Sequence, residues 1–236
     1  LTVTGEGETR KKRKSYHHGA LRETLLEVAE ELLSERGVEG FTLRECARRA
    51  GVSHGAPAHH FPDATALLSE LTAASFEELD SLMSRYRRGG PDEPYAQFVA
   101  TGLAYVDYAL QHRARFQLMF RSDRLDFENP RLASAASRTY SQLEETLAAL
   151  PAPGGSRALS LRERAATAWS IVHGFATLTL ENELFASHVG EREGGARESL
   201  RRMLHASKPV FAGAESRKTS RKRRGARRRE SYANRP

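Results

Sequence analysis

A single cysteine, Cys46, among 236 residues leaves no partner for an internal disulfide and fits a reducing compartment. Apolar runs are short as well. None approaches the roughly 18–20 residues needed to cross a bilayer, so no membrane span is expected. The N-terminus is polar and basic without an apolar h-region, so no secretory signal is expected and the cytoplasm is the expected location. No G-x-S-x-G elbow, P-loop, H-E-x-x-H or dinucleotide fingerprint occurs, which leaves an enzyme the least supported class. The Cys/His spacing of a zinc site is missing too. The pairs His17-His18 and His59-His60 remain, but adjacent residues on a helix point about 100° apart and are poorly placed to chelate one ion. Neither a metal nor a cofactor is expected. Helix formers dominate and no run of alternating β-branched residues stands out, so the expected fold is all-α.

What the chain does have is charge, unevenly spread. The net charge is +7, and the stretch from Glu215 to Pro236 holds ten Lys/Arg against two Glu, or +8. The remainder is therefore close to neutral, at −1. Arg10-Lys11-Lys12-Arg13-Lys14 adds a second basic cluster near the other end. Blocks of like charge are commonly solvated tails, yet a basic arm also releases counterions from DNA. Both readings stand at this level.

The chain is organised around Thr42 to Phe61, TLRECARRAGVSHGAPAHHF. Thr42 with Glu45 three residues on forms a capping box for a short helix. Leu43, Cys46, Ala47 and Ala50 give that helix an apolar stripe. This places Cys46 in a core, where a thiol is inert, rather than at a redox-sensing surface. Gly51 ends the helix where a left-handed residue is required. Ser53 is then placed to cap a second helix starting at once. Two short helices around a Gly-containing turn make a helix-turn-helix, and the small or polar residues His54, Gly55 and Ala56 let its second helix approach DNA closely.

From Tyr16 to Leu71 the sequence resembles the DNA-binding domain of the TetR/AcrR family of bacterial transcription regulators. The resemblance rests on YHHGALRETLLEVAEELLSERGVEGFTLRECARRAGVSHG, on HHFPD, and on Leu67 and Leu68. It implies that Thr42, Arg44, Ser53, His54, Gly55 and Ala56 face double-stranded DNA, with His59 and His60 one turn on. His54 and Ala56 are the candidates for base edges, and His60 for a phosphate or for packing. Two positions depart from the family habit: Ala58 stands where tyrosine is usual and Ala64 where lysine is usual. Both usual residues contact the DNA backbone, so two contacts are missing, which the basic ends are expected to offset.

Further along, a helix is expected from Ala20 to Glu35, a long one from Asp63 to Arg87, and others from Pro94 to His112, from Asn129 to Leu150, from Ser160 to Phe185, and from Glu191 to Ala206. The helices after Pro94 and Ser160 are apolar on most of their circumference, as interior helices are. Trp169 with His173-Gly174, in AWSIVHGFATLTLENELF, and YVDYALQHRARFQLMF resemble the C-terminal domain of a TetR subgroup with a W-H-G signature. Spacing alone makes Phe98, Tyr105, Phe116, Met119, Phe120, Trp169 and Phe175 a core; the resemblance makes them the lining of a pocket for an apolar small-molecule effector. Asp107 and His173 are the polar groups placed to orient that ligand, His173 being equally suited to a core role.

The expected organisation is a basic arm (1–14), a helix-turn-helix domain (15–62), an effector-binding and dimerisation domain (63–212) and a basic tail (213–236). The resemblance implies a homodimer paired through the last two long helices, with two heads about 34–36 Å apart on a palindromic operator. Ligand in the body would shift the 63–87 helix and lower DNA affinity, most simply as a repressor. The rival reading is a largely non-specific nucleic-acid-binding or architectural protein acting through its basic ends. A ligand-binding protein that has lost DNA binding is a third.

Overall fold

The computed structural model describes residues 17–155, 158–190 and 195–213; the basic arm and all but the first residue of the basic tail lie outside them. The described residues are helical, without a strand. The helices are α1 (His17–Arg36), α2 (Leu43–Arg49), α3 (Ala64–Gly89), α4 (Pro94–Gln111), α5 (Arg113–Met119), α6 (Pro130–Ala148), α7 (Leu161–Glu181), α8 (Glu183–Gly190), α9 (Gly195–Ala206) and α10 (Lys208–Phe211). A single 3-10 turn, Ala56–His59, lies between α2 and α3.

The head forms around α1. Leu25, Ala29, Leu32 and Leu33 are buried there, and α2 lays Cys46 and Ala47 against the same core, which Phe41 and Phe61 close. Thr42 caps α2 by accepting from the Glu45 N–H at 3.2 Å. Only half of the expected capping box forms, because the Glu45 carboxylate turns to Arg48 instead. Gly51 has φ +70, and the bonds Gly51 N–H to Arg48 O (3.2 Å) and Val52 N–H to Ala47 O (3.1 Å) finish the helix. A side chain at Gly51 would be strained by that backbone.

The second reading helix differs from expectation. It is one 3-10 turn that starts at Ala56, and no side-chain cap holds it. Pro57 explains this. Proline has no N–H to return to the Ser53 carbonyl, so the neighbouring Ala56 N–H takes that carbonyl at 3.0 Å and the turn tightens. Ser53 thus acts through its backbone oxygen. Pro57 itself is buried and anchors the turn.

α3 runs unbroken from its Asp63 cap, which accepts from Ala66 N–H at 2.8 Å. Its first turns bury Leu67, Leu68 and Leu71, and later ones bury Phe76, Leu79 and Met83. α4 is the interior helix of the body, packed by α3, α5, α6, α7 and α9. Gly102 permits that crowding: a Cβ there would lie 3.1 Å from Leu204 of α9 and 3.2 Å from Val172 of α7. Ser160 and Glu163 form the expected reciprocal capping box on α7. The helix ends at Glu181 rather than Phe185, because Asn182 leaves helical geometry and its Oδ1 caps α8 through the Phe185 N–H at 2.9 Å.

Cys46 is fully buried, its thiol lies 3.4 Å from the Leu25 carbonyl, and burial pushes its pKa up to about 11. The native protein is therefore expected to resist iodoacetamide at neutral pH, with alkylation appearing only on unfolding. Rapid native modification, read by mass spectrometry, would contradict this packing.

Candidate DNA-binding face and ligand cavity

On the head, Thr42, Arg44, Ser53, His54, Gly55 and His59 are all exposed, whereas Ala56 and His60 are half-buried. The cap of α2, the loop after Gly51 and the 3-10 turn bring the reading residues into one region. Ala58 is exposed beside them, and Ala64 opens α3, so neither supplies a polar contact. Cations on this head are mostly engaged. Arg36, Arg48 and Arg49 all pair with Glu45, and Arg49 also pairs with Glu35 at 2.5 Å. Arg44 is exposed and has no ion pair among the described residues.

The Arg48 hydrogen bonds, aided by Arg49 and Arg36, hold the Glu45 carboxyl down at about 2. A carboxylate whose folded pKa is depressed stabilises the fold above its ordinary range, and that contribution is lost as pH falls toward 2. Glu45→Gln should therefore lower the melting temperature at pH 7, with the gap to wild type closing between pH 4 and pH 2. A gap unchanged at pH 2 would count against this role.

Within the body, a cavity of about 360 Å³ lies among α3, α4, α5, α6, α7 and α9. Phe98, Tyr105, Met119, Phe120 and Trp169 line it as the sequence pattern anticipated. Phe76, Met83, Thr101, Thr139 and Leu143 line it too. Sequence reasoning passed over Phe76, Met83, Thr139 and Leu143 because α3 and α6 read as ordinary amphipathic helices, and over Thr101 because it is a polar residue on the otherwise apolar α4. Phe127, Tyr140 and Trp169 are among the large apolar side chains left exposed, and they form a partly open aromatic rim.

Four expected lining residues, Asp107, Phe116, His173 and Phe175, lie outside this wall. Asp107 follows Tyr105 by two positions, about 200° around α4, and so faces away from the cavity. It accepts from the Tyr86 hydroxyl and pairs with Arg197 at 2.9 Å, tying α4 to α3 and α9. Phe175 is core, edge-on to Phe185 at 5.6 Å. Phe116 borders a second recess of about 330 Å³ behind Phe120. His173 borders that recess as well, and its Nδ1 lies 2.9 Å from the Tyr105 hydroxyl, to which Trp169 Nε1 donates at 3.4 Å. Burial lowers the His173 pKa, against a smaller raising effect of Glu181.

Polar contacts join this body to the head. Arg115 of α5 reaches Glu78 of α3 at 2.8 Å, Glu30 of α1 at 3.6 Å, and donates to Ser75 at 3.0 Å. Beyond α5, Arg121 and Arg124 hold Glu39 at 2.6 and 3.1 Å, and Arg124 donates to the Val38 carbonyl at 3.2 Å. α5 and the residue after it also carry Met119 and Phe120 of the cavity wall.

A helix-turn-helix head fixed to a helical body that encloses an apolar cavity is the architecture of a ligand-responsive DNA-binding regulator. Residues 25–71 match the model for bacterial regulatory proteins of the tetR family, and residues 98–206 match that for a tetracyclin repressor-like C-terminal domain. The chain belongs to the TetR family of transcription regulators. It is 37% identical over 73 residues to the HTH-type transcriptional regulator AcrR of Shigella flexneri, a match spanning 31% of this chain and 34% of AcrR. The chain thus matches about a third of that regulator. A protein of unknown function from Rhodococcus sp. RHA1 superposes with TM-score 0.69 at 30% identity, over 84% of this chain and 99% of that one. PfmR, a TetR family regulator from Thermus thermophilus, shares the fold with TM-score 0.58 at 18% identity, over 82% and 97%. Among the described residues no helix is long and apolar enough to cross a membrane, and no group of His, Cys, Asp and Glu is arranged to hold a metal.

Proposed function

We propose that this chain is a one-component repressor that binds a palindromic operator as a homodimer and releases it when a small apolar molecule fills the body. The observation that carries the proposal is that one structure holds both an exposed helix-turn-helix face and an internal cavity, joined by α3 and by the polar contacts of α5. Arg44 and the exposed residues Thr42, Ser53, His54, Gly55 and His59 would meet the DNA, His54 reading a base edge and the cap and turn residues positioning the head on phosphates. Ala56 and His60, half-buried, contribute from the rim of that face.

The domain limits proposed are 15–62 for the reading head and 63–212 for the body. Leu178, Leu184 and Met203 leave apolar surface exposed on α7, α8 and α9, the helices proposed to pair across the two-fold axis. Action in the bacterial cytoplasm, on the nucleoid, follows from the same reading. Ligand against Met119 and Phe120 would displace α5, and with it the Arg115, Arg121 and Arg124 contacts to the head. Coupling of this kind is worth about 1–3 kcal/mol.

Selection of bound sequences from a random DNA pool, at near-physiological salt, tests the proposal. The expected product is a palindrome with half-sites about one helical turn apart. Enrichment without a motif would contradict it and favour non-specific binding through the basic ends. On the selected operator, Ala64→Lys should bind more tightly and steepen the salt dependence by about one unit, since it adds one phosphate contact. An unchanged slope would show that the start of α3 lies away from the DNA backbone.

A further inference from the structure

The reading head carries the wrong sign of charge for its partner. From His17 to Asp63 the sequence has five arginines, no lysine and eight carboxylates, or −3 with its histidines neutral. Four of those arginines are already held: Arg22 by Glu70, Arg36 and Arg48 by Glu45, and Arg49 by Glu35 and Glu45. Arg44 is exposed on the face and has no ion pair among the described residues. Affinity for DNA comes largely from neutralising phosphates, and one free arginine per head supplies little of it.

What the face has instead is histidine. Five of the protein's nine histidines fall in this stretch. His54 lies in the loop after Gly51 and His59 closes the 3-10 turn, and both are exposed. Among the described residues neither side chain has a hydrogen bond or an ion pair. The charged groups around the turn offer them no spare anion. Glu45 of α2 is taken by Arg36, Arg48 and Arg49, and Asp63 caps α3 through the Ala66 N–H at 2.8 Å. Arg22 of α1 lies over the Phe61 ring. Arg44, Arg48 and the half-buried His60 can add only positive charge. A protonated His54 or His59 therefore finds its counter-charge on the DNA.

We propose that His54 and His59 bind DNA as imidazolium cations, so that the head takes up protons as it docks and holds DNA more tightly as the pH falls through the histidine range. The inference rests on the regulator reading above and adds a regulation of the same face. An ordinary histidine titrates near pH 6.5, whereas the arginines of the head and the Lys/Arg of the basic arm keep their charge at neutral pH. Phosphates beside an imidazole favour its charged form, so its pKa is higher bound than free. The tightening is complete below the free value and is lost as the pH rises through the bound one.

The full chain is titrated onto a labelled operator, taken from the selection above, and onto a duplex of unrelated sequence. Both are measured at pH 6.0 and pH 8.0 at fixed ionic strength. Operator binding is expected to weaken at least about tenfold between the two, since each proton taken up is worth up to about tenfold per pH unit. The salt dependence should be steeper at pH 6.0 by about one unit for each imidazolium engaged. His54→Gln with His59→Gln, which keeps hydrogen-bonding groups but cannot be charged, should remove most of both effects. His54→Arg with His59→Arg, whose charge is permanent, should hold the tight, steeply salt-dependent binding at pH 8.0.

Operator affinity that is equal at the two pH values overturns the proposal and leaves the regulator reading standing. A pH dependence undiminished in the glutamine variant places the protons elsewhere and overturns it too. So does an arginine variant that binds no more tightly than wild type at pH 8.0. If no operator is selected but the unrelated duplex shows the same dependence on pH and on His54 and His59, the proton uptake stands and the regulator reading falls.

Discussion

Everything in this molecule depends on α3 being one uninterrupted helix. At 26 residues it is about 39 Å long, and it belongs to both halves of the protein. Its first turns supply Leu67, Leu68 and Leu71 to the core beneath the reading face. Between one and four turns on, Phe76 and Met83 form part of the cavity wall. No glycine or proline interrupts it between Asp63 and Arg88, so it has no built-in hinge, and a push on its body end is carried to the head. α5 reinforces the connection. Individually, partly exposed ion pairs contribute little, but Arg115, Arg121 and Arg124 together fix the angle between head and body.

The cavity exists because packing around α4 is incomplete. α4 is apolar on nearly all sides, and five other helices close around it. At Gly102 the approach to α7 and α9 is as tight as a glycine allows, while on the Tyr105 side large aromatics meet edge to face and leave space between them. Apart from the Tyr140 hydroxyl at the rim, the side-chain polar groups at that space are hydrogen-bonded: Trp169, Tyr105 and His173 form a short chain of hydrogen bonds, and the two threonines bond to carbonyls of their own or a neighbouring helix. An apolar void lined by self-satisfied polar atoms has little hold on water, which favours an apolar occupant.

Much of this was legible in the sequence because it is written in local chemistry. Thr42, Gly51, Asp63, Asn129 and Ser160 each act on their own or adjacent turns, and each is found at the boundary its chemistry requires. Where sequence reading failed, the deciding interaction was local but overlooked, or it came from a distant segment. Pro57 removes one donor and so reduces the recognition helix to a 3-10 turn, a consequence its position already contained. Asn182 likewise divides what the apolar pattern joined. Asp107 looked like a ligand group because its neighbours are apolar, but its partners, Tyr86 and Arg197, lie on other helices. Thr139 and Leu143 reach the cavity only through the packing of α6 on α3, which no helical period encodes.

Head and body are therefore expected to act as one energetically coupled unit, and one measurement tests this most directly. Operator affinity is compared with the cavity empty and with it saturated by a ligand whose binding Trp169 fluorescence registers, in wild type and in Glu39→Ala. In wild type, saturation should weaken operator binding by about 5–150-fold, the usual span of such coupling. Glu39→Ala, which removes the carboxylate that Arg121 and Arg124 share and leaves Arg124 its bond to the Val38 carbonyl, should still bind the ligand but show a smaller change. Operator affinity unaffected by a saturated cavity would contradict the coupling and leave the two halves as independent binding modules.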